Sequence, residues 1–279
     1  MLAEPKIVNE KFIAAMRKTE GILAAWYFGS NKHGLSDEYS DIDIVLLTNE
    51  TDYPQIDKRL IEIFKGICDD VILCWGEDFN GDAMKNYDLM LRLNGEIFQY
   101  DVFLLNHSHI DNDMCKLHYT DLSRKDIIFT KGNEADILIQ NSPKGAVWQE
   151  DIKRIIETYW LHVQMSVKYF KRRDFFKLNG VLRVLMDMHT SLLLNIYDRI
   201  TWGGSASKLH FIPEEKQAHL MKYGCIEDFD LMKKNLWLSI NWFENDVMDG
   251  IGNHMDIEGN NNLGACIKEY WIKHMHDSE

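Results

Sequence analysis

Three aspartates carry the most chemical information in this chain. Asp41 and Asp43 stand two residues apart in DIDIVLLT (41–48), a run whose Ile, Val and Leu content predicts a buried strand. Side chains at i and i+2 of a strand leave the same face, so these two carboxylates converge on one point. Asp101 lies in a second apolar strand, EIFQYDVFLL (96–105), between Tyr100 and Val102. An unpaired charge there would cost several kcal/mol, roughly, so it needs a partner. Oxygen ligands from carboxylates suit a hard cation such as Mg²⁺, which commonly shares its shell between one or two carboxylates and substrate phosphates. Two such ions about 3.5 to 4 Å apart assist phosphoryl transfer, one at the attacking oxygen and one at the leaving group.

Upstream, the apolar run ILAAWYF (22–28) stops at Gly29-Ser30. Glycine lets the backbone approach phosphate oxygens, and the following amide and hydroxyl can donate into the same concavity. Lys32 is near enough to add positive charge, and a solvated lysine is the competing reading. An apolar strand, Gly-Ser, a spacer of about ten residues, Asp-x-Asp and a third aspartate on a later strand together resemble the signature of the DNA polymerase β type nucleotidyltransferase superfamily. The layout is similar to that of bacterial nucleotidyltransferases acting on aminoglycosides or lincosamides.

The resemblance covers roughly the first 105 residues. It implies that Gly29 and Ser30 form the phosphate turn and that Asp41, Asp43 and Asp101 are the catalytic, metal-holding carboxylates. ATP or another nucleoside triphosphate would be the donor, with two Mg²⁺ ions. The position after Gly-Ser, often basic in relatives, is Asn31 here. Further on, WGGSASKLH (202–210) resembles a stretch in which some relatives reach the triphosphate with a lysine; Lys208 is the corresponding residue, and a plain helix-start lysine is the alternative. Either Asp101 or Asp187 could serve as general base toward an acceptor hydroxyl.

The elements that must position these residues are legible in outline. EPKIVNEKFIAAMRKTE (4–20) and QIDKRLIEIFKGI (55–67) have helical spacing, and DVILCW (70–75) and LMLRL (89–93) read as strands. Asn94-Gly95 supplies the two positive-φ positions of a type I′ turn, so a hairpin joins 89–93 to 96–105. Gly132, Pro143 and Gly145 break the pattern, and beyond them the period is almost wholly helical. The expected fold is α+β: a mixed-sheet catalytic domain over 1–135, then a helical bundle over 148–279. Trp160, Trp237 and Trp242 fit the core of that bundle.

Composition narrows the classes. Apolar residues make up 46% of the chain, which excludes a disordered protein, and no long uncharged apolar run predicts a membrane span. Five cysteines without a CxxC pair argue against a disulfide framework or zinc knuckle, and a cytoplasmic location is expected. A net charge of -13 repels a nucleic-acid backbone and favours a small, cationic acceptor. The reaction expected is transfer of a nucleoside monophosphate, AMP from ATP, to a hydroxyl of a small molecule such as an aminoglycoside- or lincosamide-like antibiotic, by a monomer or homodimer. The alternatives are a non-catalytic nucleotide-binding partner and nucleotidyl transfer to a protein.

Overall fold

The N-terminal segment begins with an amphipathic helix, α1 (Ala3–Lys18), whose Val8, Phe12 and Met16 recur every four residues and are buried. In the computed structural model, residues 3–33, 37, 40–144, 151–197, 209, 211–224, 228–248 and 260–275 are described. The chain divides into two compact units, Met1–Val147 and Trp148–Glu279.

The first unit continues with β1 (Ile22–Tyr27), a short α2 (Gly29–His33), β2 (Ile42–Thr48), α3 (Tyr53–Lys65), β3 (Asp70–Gly76), β4 (Met84–Leu93) and β5 (Glu96–Asn106). It closes with α4 (Asp113–Tyr119), β6 (Ile127–Thr130) and α5 (Glu134–Asn141). The six strands form one sheet in the order β3-β4-β5-β2-β1-β6. Of these neighbours β2 and β5 pair in parallel and the rest are antiparallel.

Strand alternation sorts the side chains. Ile42, Ile44, Leu46, Tyr100, Val102 and Leu104 pack on α1 and α3 through Phe12, Met16, Ile56, Leu60 and Phe64. On the opposite face Val45, Leu47, Phe103 and Leu105 meet Cys115 and Tyr119 of α4 and Leu138 of α5. With helices on both faces, every residue of β2 is buried, which is why its sequence is apolar almost throughout. Asp43 and Asp101 fall in step with Val45 and Phe103, so both carboxylates belong to the α4/α5 face.

The Asn94-Gly95 hairpin forms as expected, with φ of 52° and 87° at its two turn residues and Leu93 paired with Glu96. Its first strand is longer than LMLRL, because the ladder with β5 continues back to Met84. The helix α5, in the segment rich in breakers, packs on β1 and β6 and belongs to the first unit. It, α4 and β6 are too short for periodicity to announce them.

The second unit is helical: α6 (Ile152–Arg172), α7 (Phe175–Ile196), α8 (Glu214–Leu220), α9 (Phe229–Phe243) running into a π-helical turn (Glu244–Met248), and α10 (Asn260–Met275). Arg173 in the left-handed region ends α6, and the Asp174 side chain caps α7, so two residues reverse the chain. Trp160 is 1% exposed and meets α10 where Gly264 leaves no room for a methyl: a Cβ there would stand 2.8 Å from the indole. Trp237 stacks on Trp271 and Trp242 on His219. No helix among the described residues is long and apolar enough to cross a membrane. Cys68, Cys74, Cys115 and Cys266 are free thiols, and Cys225 lies outside the described residues.

Candidate active site

Asp41, Asp43 and Asp101 come together. One carboxylate oxygen from each lies within 4.8 Å of the other two. The parallel β2–β5 ladder sets Asp43 directly beside Asp101, and Asp41 reaches the same point from the residue just before β2, rather than from within the strand as the sequence indicates. Asp43 is 9% and Asp101 8% exposed, so these charges share a partly dry pocket.

The turn after β1 is built against this cluster. Gly29 has φ +57°, and a Cβ added to it would stand 2.1 Å from Asp43 Oδ2. Glycine is required twice there, by backbone conformation and by the carboxylate occupying the side-chain space. The Phe28 amide donates to the Asp43 carbonyl at 3.1 Å, and Asn31 Nδ2 donates to the Asp41 carbonyl at 3.1 Å. Asn31, the departure from the basic residue common in relatives, thus ties the turn to the first aspartate. Ser30 Oγ is buried and makes no hydrogen bond among the described residues. Lys32 sends its ammonium to the Thr120 carbonyl at the end of α4. Lys208 lies outside the described residues, and Asp187 sits half-buried on α7 in the second unit.

A fourth carboxylate was missed by sequence reasoning. Asp88 on β4 is the cross-strand partner of Asp101, so Asp43, Asp101 and Asp88 form one row across three strands on the same face. The signal was available in the hairpin: with Leu93 opposite Glu96, the residue five places before Leu93 faces the one five places after Glu96.

Burial of these acids shifts their protonation. Burial raises the Asp101 carboxyl to about 8; Gln99, donating to its two oxygens at 3.1 and 3.2 Å, opposes this, and Asp88, Asp43 and Asp41 add to it. Asp41 is raised by burial against a backbone hydrogen bond. Asp88 is raised by burial, against a hydrogen bond from Asn86, with Asp41 adding to the rise.

The donor set fits a divalent cation that carries phosphate. It consists of carboxylate oxygens without histidine or cysteine, which matches Mg²⁺ or Mn²⁺ in preference to a softer metal. The orphaned Ser30 hydroxyl, beside a glycine with no side chain, offers a donor to an anion on the same turn. By contrast, His107 in the 3-10 turn after β5 is accounted for by Glu134, 3.2 Å away.

Comparison with known proteins agrees on the domain. Residues 10–112, from within α1 to just past β5, match the family model described as a nucleotidyltransferase domain. No curated protein matches the chain. Among solved structures, an aminoglycoside 6-adenyltransferase from Bacillus subtilis is 12% identical, covers 99% of this chain and 100% of its own, and aligns with a TM-score of 0.43. A nucleotidyltransferase-like protein from Exiguobacterium sibiricum 255-15 is 10% identical over 96% of this chain and 91% of its own, with a TM-score of 0.36.

Proposed function

We propose that the protein transfers a nucleoside monophosphate, AMP from ATP, to a hydroxyl of a small-molecule acceptor and releases pyrophosphate. The observation that carries this is the meeting of three carboxylates within 4.8 Å beside a turn whose glycine has given up its side-chain space to one of them.

In this reading Asp41, Asp43 and Asp101 hold two Mg²⁺ ions. Bound there, the ions would offset negative charge on the acceptor oxygen and on the departing pyrophosphate. The Gly29-Ser30 turn receives the triphosphate, with the Ser30 hydroxyl as donor, while Lys32, anchored on Thr120, keeps a positive charge on α2. The acceptor oxygen bonds to the α-phosphorus, the bond from that phosphorus to the bridging oxygen breaks in line, and the acceptor's proton passes to a carboxylate, Asp101 or Asp187 in this reading.

The excess of acidic over basic residues, 44 against 31, supports a small cationic acceptor over a nucleic-acid end. Resistance to an aminoglycoside- or lincosamide-like antibiotic is the physiological role this reading suggests, carried out in the cytoplasm by a monomer or homodimer.

The test incubates protein, Mg²⁺ and ATP with aminoglycosides, lincosamides and simpler amino alcohols, reading pyrophosphate release and an acceptor mass increased by AMP. Activity is expected with at least one acceptor and should fall about a hundredfold or more in Asp43→Ala and Asp101→Ala. Full activity in either variant overturns the assignment. Tight nucleotide binding without product across the panel would favour a non-catalytic role.

A further inference from the structure

We propose that the sheet face over β3, β4 and β5 beside the carboxylates is the acceptor's seat, shaped for a small cation with a ring or aliphatic side: the protonated amine at Asp88 and the apolar side on Trp75. The proposal rests on the transfer reading above and adds to it the acceptor's place and chemical class.

A cavity of about 430 Å³ lies on this face, within the usual size of small-ligand pockets. Its walls include Leu73, Trp75, Asp88, Met90, Ile97 and Gln99. Four of these are large apolar side chains left open to water, with Trp75 57%, Ile97 52%, Leu73 45% and Met90 41% exposed. One exposed apolar residue is ordinary on a surface; four around one cavity form a patch that calls for a ligand.

The cavity adjoins the proposed chemistry through the sheet register. Trp75 pairs with Asp88, and Asp88 with Asp101, so the indole, the fourth carboxylate and the triad stand in one row. Neighbouring strands are about 4.8 Å apart, which places Trp75 about 10 Å from Asp101, the length of a small two-ring molecule. Gln99 lines the cavity and donates to Asp101, joining shelf to triad. Asn86 donates to Asp88 Oδ1 at 3.2 Å and orients that carboxylate.

Charge selects the occupant. An ammonium group complements Asp88 and gains from the face of Trp75 by cation–π attraction. A second copy of the chain on this face would bring another set of these acids, on a molecule of net charge -13, toward the first.

The test titrates metal-free, nucleotide-free protein with benzylamine, benzyl alcohol and ethylamine by NMR, so its outcome is independent of turnover. Benzylamine is expected to bind about tenfold more tightly than either comparison probe. Asp88→Asn should erase the preference for amine over alcohol, and Trp75→Ala should weaken both ring probes while Trp75→Phe restores most of the binding; matching circular dichroism melts confirm that the variants fold. With a working acceptor, benzylamine should raise that acceptor's KM and leave that of ATP unchanged. Equal binding of amine and alcohol, indifference to Trp75→Ala, or a dimer that Trp75→Ala dissociates without any probe bound would each overturn the proposal. Transfer observed with no probe binding removes the seat alone, whereas probe binding without transfer supports the seat and counts against the reaction.

Discussion

Gly29 and Asp101 are the two residues at which physical constraint and proposed chemistry meet most closely. In Gly29→Ala the new methyl and Asp43 Oδ2 would compete for one position 2.1 Å apart, with φ at +57° adding backbone strain. The carboxylate must move, and a displacement of about 1 Å at a reacting centre costs on the order of a hundredfold in turnover. A hundredfold loss of kcat with the melting temperature lowered is therefore expected, checked by transfer assay and calorimetry. Asp101 has the opposite balance of stability and activity. Its folded-state pKa of about 8 lies above the ordinary 3.8, so the folded protein holds a proton that the unfolded chain releases. Stability without metal is fully present below about pH 4 and is lost as the pH rises toward 8. Asp101→Asn should therefore stabilise the metal-free protein at pH 8 by at least about 1 kcal/mol while abolishing transfer. Thermal melts in EDTA at pH 5 and pH 8 check this, since the gain should shrink at the lower pH. The three aspartates that meet could be picked out in the sequence because type and spacing alone marked them. Asp88 could not be read that way: its strand looked five residues shorter than it is, and its meaning depends on the partner across the ladder.

Elements show the same division. The β4–β5 hairpin was legible because Asn94-Gly95 is local chemistry, and β2 because burial on both faces leaves a continuous apolar run. The short α4, β6 and α5 were not, since their formation depends on packing against strands distant in sequence. A buried polar network in the second unit was equally invisible. Asp246, on the π-helical turn, has a side chain 1% exposed and binds the ammonium of Lys216, His219 Nδ1 at 2.7 Å, and lies 3.5 Å from His189 Nε2. It thereby joins the turn to α7 and α8, and His189 Nδ1 continues to the Tyr223 hydroxyl, which meets that of Tyr159 at 2.7 Å. Burial alone would raise the Asp246 carboxyl; the His189 imidazole beside it and hydrogen bonds with His219 and Lys216 overcome this and hold it well below the usual range. Its contribution is present above the ordinary carboxylate pKa near 4 and lost as the pH falls below it. Asp246→Ala removes the shared hydrogen-bond acceptor of Lys216 and His219 and should destabilise the second unit by about 2 kcal/mol. Denaturant unfolding at pH 7 followed by tryptophan fluorescence measures this, and an unchanged midpoint would show that the network contributes nothing.

At the scale of the molecule, the α+β order was readable from periods that change after residue 147: strand and helix alternate before it and helices alone follow. The proposed acceptor seat was not readable, because the row Trp75, Asp88, Asp101 is assembled from three strands by their register. The proposed transfer requires three carboxylates to grip a divalent cation that carries a nucleotide. Anomalous diffraction from crystals grown with Mn²⁺ and a non-hydrolysable ATP analogue tests it most directly. The predicted result is a manganese peak within about 2.5 Å of oxygens from Asp41, Asp43 and Asp101, with the triphosphate against Gly29 and Ser30. Manganese bound elsewhere, or a nucleotide seated away from that turn while these aspartates hold no metal, would contradict it.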